Sequence, residues 1–129
     1  MAQSSYTLDT ALLNATLLGN TFTGNTTVFM SLYSVTPTGN TGGTEITGNG
    51  YSRQTATFTT ANNVATLSGN VTFTASGGSW ASVVAAGVVD APSAGNLLYF
   101  NTLPTTKSVA NGYTLTFPTG NVTITLGSA

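Results

Sequence analysis

Charge is what this chain most lacks. Arg53, Lys107, Asp9, Glu45 and Asp90 are its only charged side chains in 129 residues, and the charged fraction is 4%, against about 25% in ordinary globular domains. Nucleic-acid binding needs clustered Lys and Arg to neutralise phosphates. One Lys and one Arg far apart exclude it, and they exclude attraction to an anionic membrane surface as well. Cysteine and histidine are absent. That removes disulfides, Cys/His metal sites, and Ser–His or Cys–His nucleophile pairs. No stretch approaches the roughly 20 apolar residues of a membrane span, and the N-terminus lacks the basic start and apolar run of a secretion signal.

What is present is apolar, hydroxylic and small. The apolar fraction is 40% and the aromatic fraction 9%, and Val and Thr are abundant. Disordered chains are poor in aromatic and β-branched residues, so this one is expected to fold. A length of 129 residues suits one domain, residues 1–129, burying about two-thirds of its unfolded surface. The near-neutral surface resists association weakly, which suits a part that spends its life docked.

Only one segment carries a helical period. In "SSYTLDTALLNATLLG", Leu8, Leu12 and Ala15 share a face, with Leu13 and Leu17 flanking it. Ser5 or Thr7 can cap its start, Asp9 suits the first turn, and Gly19 can end it. Residues 1–20 are therefore a helix or arm. It either packs on the sheet as a core element or reaches a neighbouring subunit.

From residue 26 to 126 the period is two. The segments 27–35, 51–60, 64–75, 79–91, 96–103 and 113–126 all read as strands. Val71, Phe73 and Ala75 alternate with Thr72 and Thr74; Tyr113, Leu115 and Phe117 with Thr114 and Thr116; Val122, Ile124 and Leu126 with Thr123 and Thr125. Apolar side chains on one face and threonines on the other describe half-buried antiparallel strands. Threonine is β-branched and carries a hydroxyl, so it makes a soluble strand face without charge. Gly-Asn and Asn-Gly pairs recur between these segments, and both residues supply the positive φ of tight turns. The expected fold is all-β: an antiparallel β-sandwich, immunoglobulin-like or jelly-roll-like, with one short N-terminal helix.

Motifs with chemistry are few. Four N-x-[ST] triplets, at Asn14, Asn25, Asn70 and Asn121, arise readily in a Thr-rich chain. The glycine-rich "GNTGG" and "SGGSW" have no following Lys and no strand-to-helix context, so they read as loops. Asp9, Glu45 and Asp90 form no calcium-loop pattern and no recognisable acid–base pair. No catalytic residue, metal or cofactor is expected. Glu45 and Arg53 stand eight positions apart around Gly48-Asn49-Gly50. The preferred reading is a structural ion pair that pins the loop 36–50, with an inter-subunit contact as the alternative. Trp80 reads as a core anchor, with an exposed contact residue as the alternative. In "LLYFN", Leu97 and Leu98, like Tyr99 and Phe100, point to opposite faces, so one face meets either the interior or a partner. The candidate interface residues are Leu8, Leu12, Leu13, Trp80, Tyr99 and Phe100.

Together these segments resemble a family of short tailed-phage virion structural proteins often labelled phage tail fibre protein. Its pattern has an N-terminal "ALL…LL.G" helix, then an acid–x–x–Gly–x–x–Tyr–x–Arg–Gln motif, here Glu45, Gly48, Tyr51, Arg53 and Gln54. A second signature, from Val88 to Leu126, is carried by Asp90, Ala91, Gly95, Leu97, Leu98, Leu103, Val109 and Gly112. Ala94 stands where a first glycine is usual before Gly95, and Tyr113 where an acid often follows Gly112. The resemblance implies a virion component without enzymatic activity. Two locations follow: a cement or decoration protein docked on the outer head surface, with the major capsid protein and further copies of itself (a trimer at local three-fold axes) as partners, or a tail-fibre component serving host recognition. The shortness of the chain favours the head.

Overall fold

The structure, a computed structural model, describes residues 3–39 and 43–126. Asn40 of the Gly39-Asn40 turn and the middle of "GNTGG" thus lie outside the described residues. Strand β1 (Gln3–Ser4) is followed at once by helix α1 (Tyr6–Leu17). Ser5 is its N-cap: the Leu8 amide donates to Ser5 Oγ at 3.2 Å. At the other end the Asn20 amide reaches the Asn14 carbonyl at 3.1 Å across Gly19, whose φ is 73°. The Asn14 carbonyl thus accepts from both the Leu18 and Asn20 amides, a closure that a positive-φ glycine permits after a helix.

The strands are β2 (Val28–Val35), β3 (Thr44–Glu45), β4 (Gln54–Ala56), β5 (Phe58–Ala61), β6 (Val64–Leu67), β7 (Val71–Thr74), β8 (Val83–Val89), β9 (Leu97–Lys107), β10 (Thr114–Phe117) and β11 (Thr123–Thr125). Every strand pairing described is antiparallel. A six-stranded sheet runs β1-β9-β8-β2-β3, with β4 also on β2. Strands β3 and β4 share one edge of β2, Tyr33 opposite Glu45 and Met30 opposite Gln54. They are two halves of an edge strand interrupted by the loop 46–53.

The opposing layer is β7–β10 and β5–β6–β11, two small sheets where an immunoglobulin or jelly-roll sandwich has one. The split explains three differences from the sequence reading. Segment 51–60 breaks at Thr57 because β4 belongs to the large sheet and β5 to the small one. Segment 64–75 breaks at Gly69-Asn70, where the chain passes from one small sheet to the other. Segment 113–126 turns at Pro118–Asn121, closed by the Asn121 amide on the Pro118 carbonyl at 3.0 Å. Strand β9, by contrast, runs on past residue 103 through Pro104, beside a register shift opposite Val83–Ala85, where a missing N–H is tolerated.

Both layers close on one core. Met30, Leu32, Ala56 and Val83 from the large sheet meet Leu67, Val71 and Phe73 from the small ones, with Trp80, Ile46 and Val109 from loops. On β7 the alternation holds, with Val71 and Phe73 buried and Thr72 and Thr74 exposed. Thr72 and Thr116 hydroxyls share a hydrogen bond of 3.1 Å across β7–β10 on the outer face. Tyr113 departs from its expected inward set: it is 68% exposed, because its amide bonds back to Ala110 in the turn before β10.

Candidate functional site

Glu45 ends β3 and Arg53 precedes β4, so the shared edge of β2 brings them together over the loop between. Arg53 Nη2 lies 2.8 Å from Glu45 Oε1, and Nε lies 2.9 Å from Oε2. Two parallel bonds fix the orientation of both groups. Tyr51 OH donates to Glu45 Oε2 at 2.7 Å and accepts from the Leu32 amide at 3.0 Å. Arg53 Nη1 donates to the carbonyls of Ala91 and Ala94 at 2.9 and 2.7 Å. The first signature, Glu45–Gln54, and the opening turn of the second, at Ala91 and Ala94, are therefore joined by hydrogen bonds.

The Asp90 turn is tied from its other side. Asp90 Oδ1 accepts from the Asn96 amide at 2.7 Å, and Oδ2 from the Asn96 side chain at 3.1 Å. Ala94 and Gly95 both take positive φ, 53° and 72°. A Cβ on Gly95 would stand 2.7 Å from that of Ala91 and would also overlap the Asp90 carboxylate, so this position requires glycine.

Burial pushes the Glu45 carboxyl upward, but the hydrogen bonds from Arg53 and Tyr51 and the Arg53 charge outweigh it, leaving its pKa below the usual value. The hydrogen bonds to Glu45 raise Arg53 further, against its own burial. Burial and the bond to Glu45 both push the Tyr51 phenol well up. Glu45 thus stays ionised and Tyr51 protonated. Such a network is suited to holding a loop in place, with each partner saturated by the others.

A second cluster anchors the Gly48-Asn49-Gly50 turn. Asn49 has φ 50°, and its carbonyl accepts from Trp80 Nε1 at 2.9 Å and from the Ser76 amide at 2.8 Å. Its side chain donates to the Ser79 carbonyl at 2.9 Å. The Tyr51 ring stacks on Phe73 (centroids 6.1 Å apart, 4° between planes) and meets Trp80 edge-on at 5.5 Å. Tyr51 thus joins the ion pair to the core. The sequence placed Tyr51 in the acid–x–x–Gly–x–x–Tyr–x–Arg–Gln motif without giving it a role, although residues 51 and 53 share one face of an extended chain, which was the available signal. Asn49 was visible only as part of the Gly48-Asn49-Gly50 turn, and nothing in the sequence pointed to its bonds with Trp80, Ser76 and Ser79.

The candidate interface residues separate. Trp80 is only 7% exposed and packs in the core, so the exposed-contact alternative is corrected; its amide bonds Val109 at 3.0 Å, which holds it out of β8 and turned inward. Phe100 is 4% exposed and Leu8 6%. Both are corrected as free contact residues: Phe100, opposite Gly87, is covered on the face of the large sheet away from Met30, Val88 and Tyr99, and Leu8 is the buried residue of α1, on its side toward β9. Leu12 and Tyr99 are half-buried, and Leu13 is 56% exposed. Burial, with Asp9 nearby, raises the Tyr99 phenol.

Beside β9 the sandwich is open. A cleft of about 480 Å³ runs between β9 and the β10–β11 side, with Phe100, Leu103, Leu115 and Phe117 among its walls and Lys107 at its rim. A second, of about 280 Å³, continues toward Phe58 and Leu126. Val88, Tyr99 and Ile124 line both.

Fold and network define a small antiparallel β domain in which four of the five charged side chains, Asp9, Glu45, Arg53 and Asp90, make internal bonds. The chain belongs to the Gp80 family: the family described as podophage GP4 fiber I protein gp80 matches residues 3–125. A comparison with curated proteins finds no match. Membership makes this a structural component of a phage virion, and it fits the tail-fibre reading better than the decoration of the outer head surface that shortness of the chain favoured.

Proposed function

We propose that the protein is a structural β domain of the tail fibre of a short-tailed phage, held in place by apolar and hydroxyl contacts rather than by ion pairs. The family match over residues 3–125 carries this reading. A fibre built from several chains needs no great length from each, so a short domain is no obstacle. The threonine-lined outer faces and the near absence of charge suit permanent docking on neutral protein surfaces. In this reading the partners are other fibre and tail subunits in place of the major capsid protein. The role is mechanical and not enzymatic, in keeping with the use of Glu45 and Asp90 as internal ties.

The test is imaging of intact virions carrying an epitope tag after residue 126. Label confined to tail fibres is expected. Label on every capsomer of the head would overturn the proposal and restore the decoration reading.

A further inference from the structure

Helix α1 is apolar on two sides. Leu8, Leu12 and Ala15 form one stripe, buried or half-buried where the helix meets β9. Tyr6, Leu13 and Leu17, seven and four residues apart, form another. They are 67%, 56% and 73% exposed. Beyond them Leu18 is 71% and Phe22 41% exposed, and every residue from Thr16 to Thr27 is exposed. A contiguous exposed apolar patch marks a contact surface. Tyr6 lies against Gly39, while among the described residues Leu13, Leu17 and Leu18 stay exposed.

The same chain holds a surface of matching chemistry. The two continuous clefts beside β9 form an apolar trough, lined by that strand from Leu98 to Lys107, about 30 Å of extended chain. A helix of 12 residues is about 18 Å long and can lie along it with one apolar face turned in.

Charge says which occupant belongs there. Glu45 pairs with Arg53, and Asp90 is bonded to Asn96. Asp9, which accepts a hydrogen bond from Ser4, and Lys107 have no opposite charge beside them among the described residues. Asp9 flanks the exposed stripe, three residues after Tyr6 and four before Leu13, while Lys107 stands at the trough's end. Within one copy they are held apart. Ser4, which donates to Asp9, pairs with Tyr99, eight residues along β9 from Lys107, about 27 Å away. A second copy's arm entering the trough can bring its Asp9 to Lys107.

We propose that α1 and the segment through Phe22 of one copy seat in the β9 trough of a second copy, with Leu13, Leu17 and Leu18 against the apolar walls and Asp9 beside Lys107. The five exposed apolar side chains of the arm present on the order of 500 Å². Reciprocal exchange, in which each copy gives an arm and receives one, therefore reaches the roughly 800 Å² per partner of a stable interface. The pairing rests on the arm and trough alone, so its failure leaves the fibre assignment standing.

The chain has no cysteine, which permits a clean test. Purified L17C and T105C proteins are mixed under mild oxidation, and the wild type is weighed by light scattering at about 100 µM. Arm-to-trough disulfides between the two variants and a wild-type oligomer are the expected result. A wild-type monomer, or L17C linking only to itself, overturns the proposal. As a second arm, D9K and K107D each weaken association severalfold, and the D9K/K107D double variant recovers to within about twofold of wild type. Additive losses in the double variant, with unchanged circular dichroism, count against the proposed register.

Discussion

Arg53 grips Glu45 with Nε and Nη2 while its Nη1 faces the other way, onto the carbonyls of Ala91 and Ala94. One guanidinium thereby ties the β3–β4 edge to the loop between β8 and β9, 38 residues on in sequence at Ala91. The side chain of Arg53 is 11% exposed and that of Glu45 is 24%. Removing one partner leaves the other desolvated and unpaired. Glu45→Gln is expected to cost about 2–4 kcal/mol. Arg53→Lys, which keeps the charge but cannot span four acceptors, is expected to cost about 1–2 kcal/mol. Urea unfolding midpoints measure both. A lysine variant as stable as wild type would mean that the fork geometry is irrelevant.

The same pair sets an acid limit. The folded pKa of Glu45 lies below its ordinary value of 4.5, so the carboxylate contributes stability that is fully present above that value. The contribution is lost as pH falls through the lower folded value. Melting temperature should hold steady from neutral pH to about 5 and drop below about 4. The drop should shrink in Glu45→Gln, measured by calorimetry over the same range.

Ala94 occupies the left-handed region at φ 53°, which costs a residue with a Cβ about 1–2 kcal/mol. Ala94→Gly relieves that strain at some cost in unfolded-state entropy, for a net gain of about 0.5–1 kcal/mol. Gly95→Ala should instead lose stability, since its Cβ would collide with the Asp90–Ala91 turn. Opposite shifts of the two denaturation midpoints are the signature to look for.

Trp80 fills the core and donates to the Asn49 carbonyl. Trp80→Phe removes ring volume and leaves that carbonyl with the Ser76 amide alone, a loss of about 2–3 kcal/mol. Had Trp80 been a contact residue, the substitution would leave unfolding unchanged and weaken assembly only.

If docking in the fibre depends on apolar and neutral polar contact, salt should scarcely release the protein. Virions washed in about 1 M NaCl, where screening reaches within 3 Å or so, are expected to retain it, as judged by gel electrophoresis of the pelleted particles. Quantitative release would point to ionic docking.

Local physics was written openly in the chain. Threonine opposite an apolar residue at every second position sufficed for antiparallel strands such as β7, because that period allows one face to be buried and the other wetted. Ser5 and Gly19 delimit α1 through backbone bonds that neighbouring residues close by themselves. The scarcity of charge made the Glu45–Arg53 pair conspicuous before any coordinates. What depends on distant segments was not legible. Nothing near Thr57 announces that the strand changes sheets there, since either side continues the same alternation, and Gly69-Asn70 signals a turn without saying that the chain passes to another sheet. The burial of Trp80, the turn of Arg53 toward the Ala91 and Ala94 carbonyls, and the open trough along β9 are decided by how the layers stack. A backbone carbonyl has no side-chain identity in the sequence, and a cleft exists only between surfaces that the fold has brought face to face.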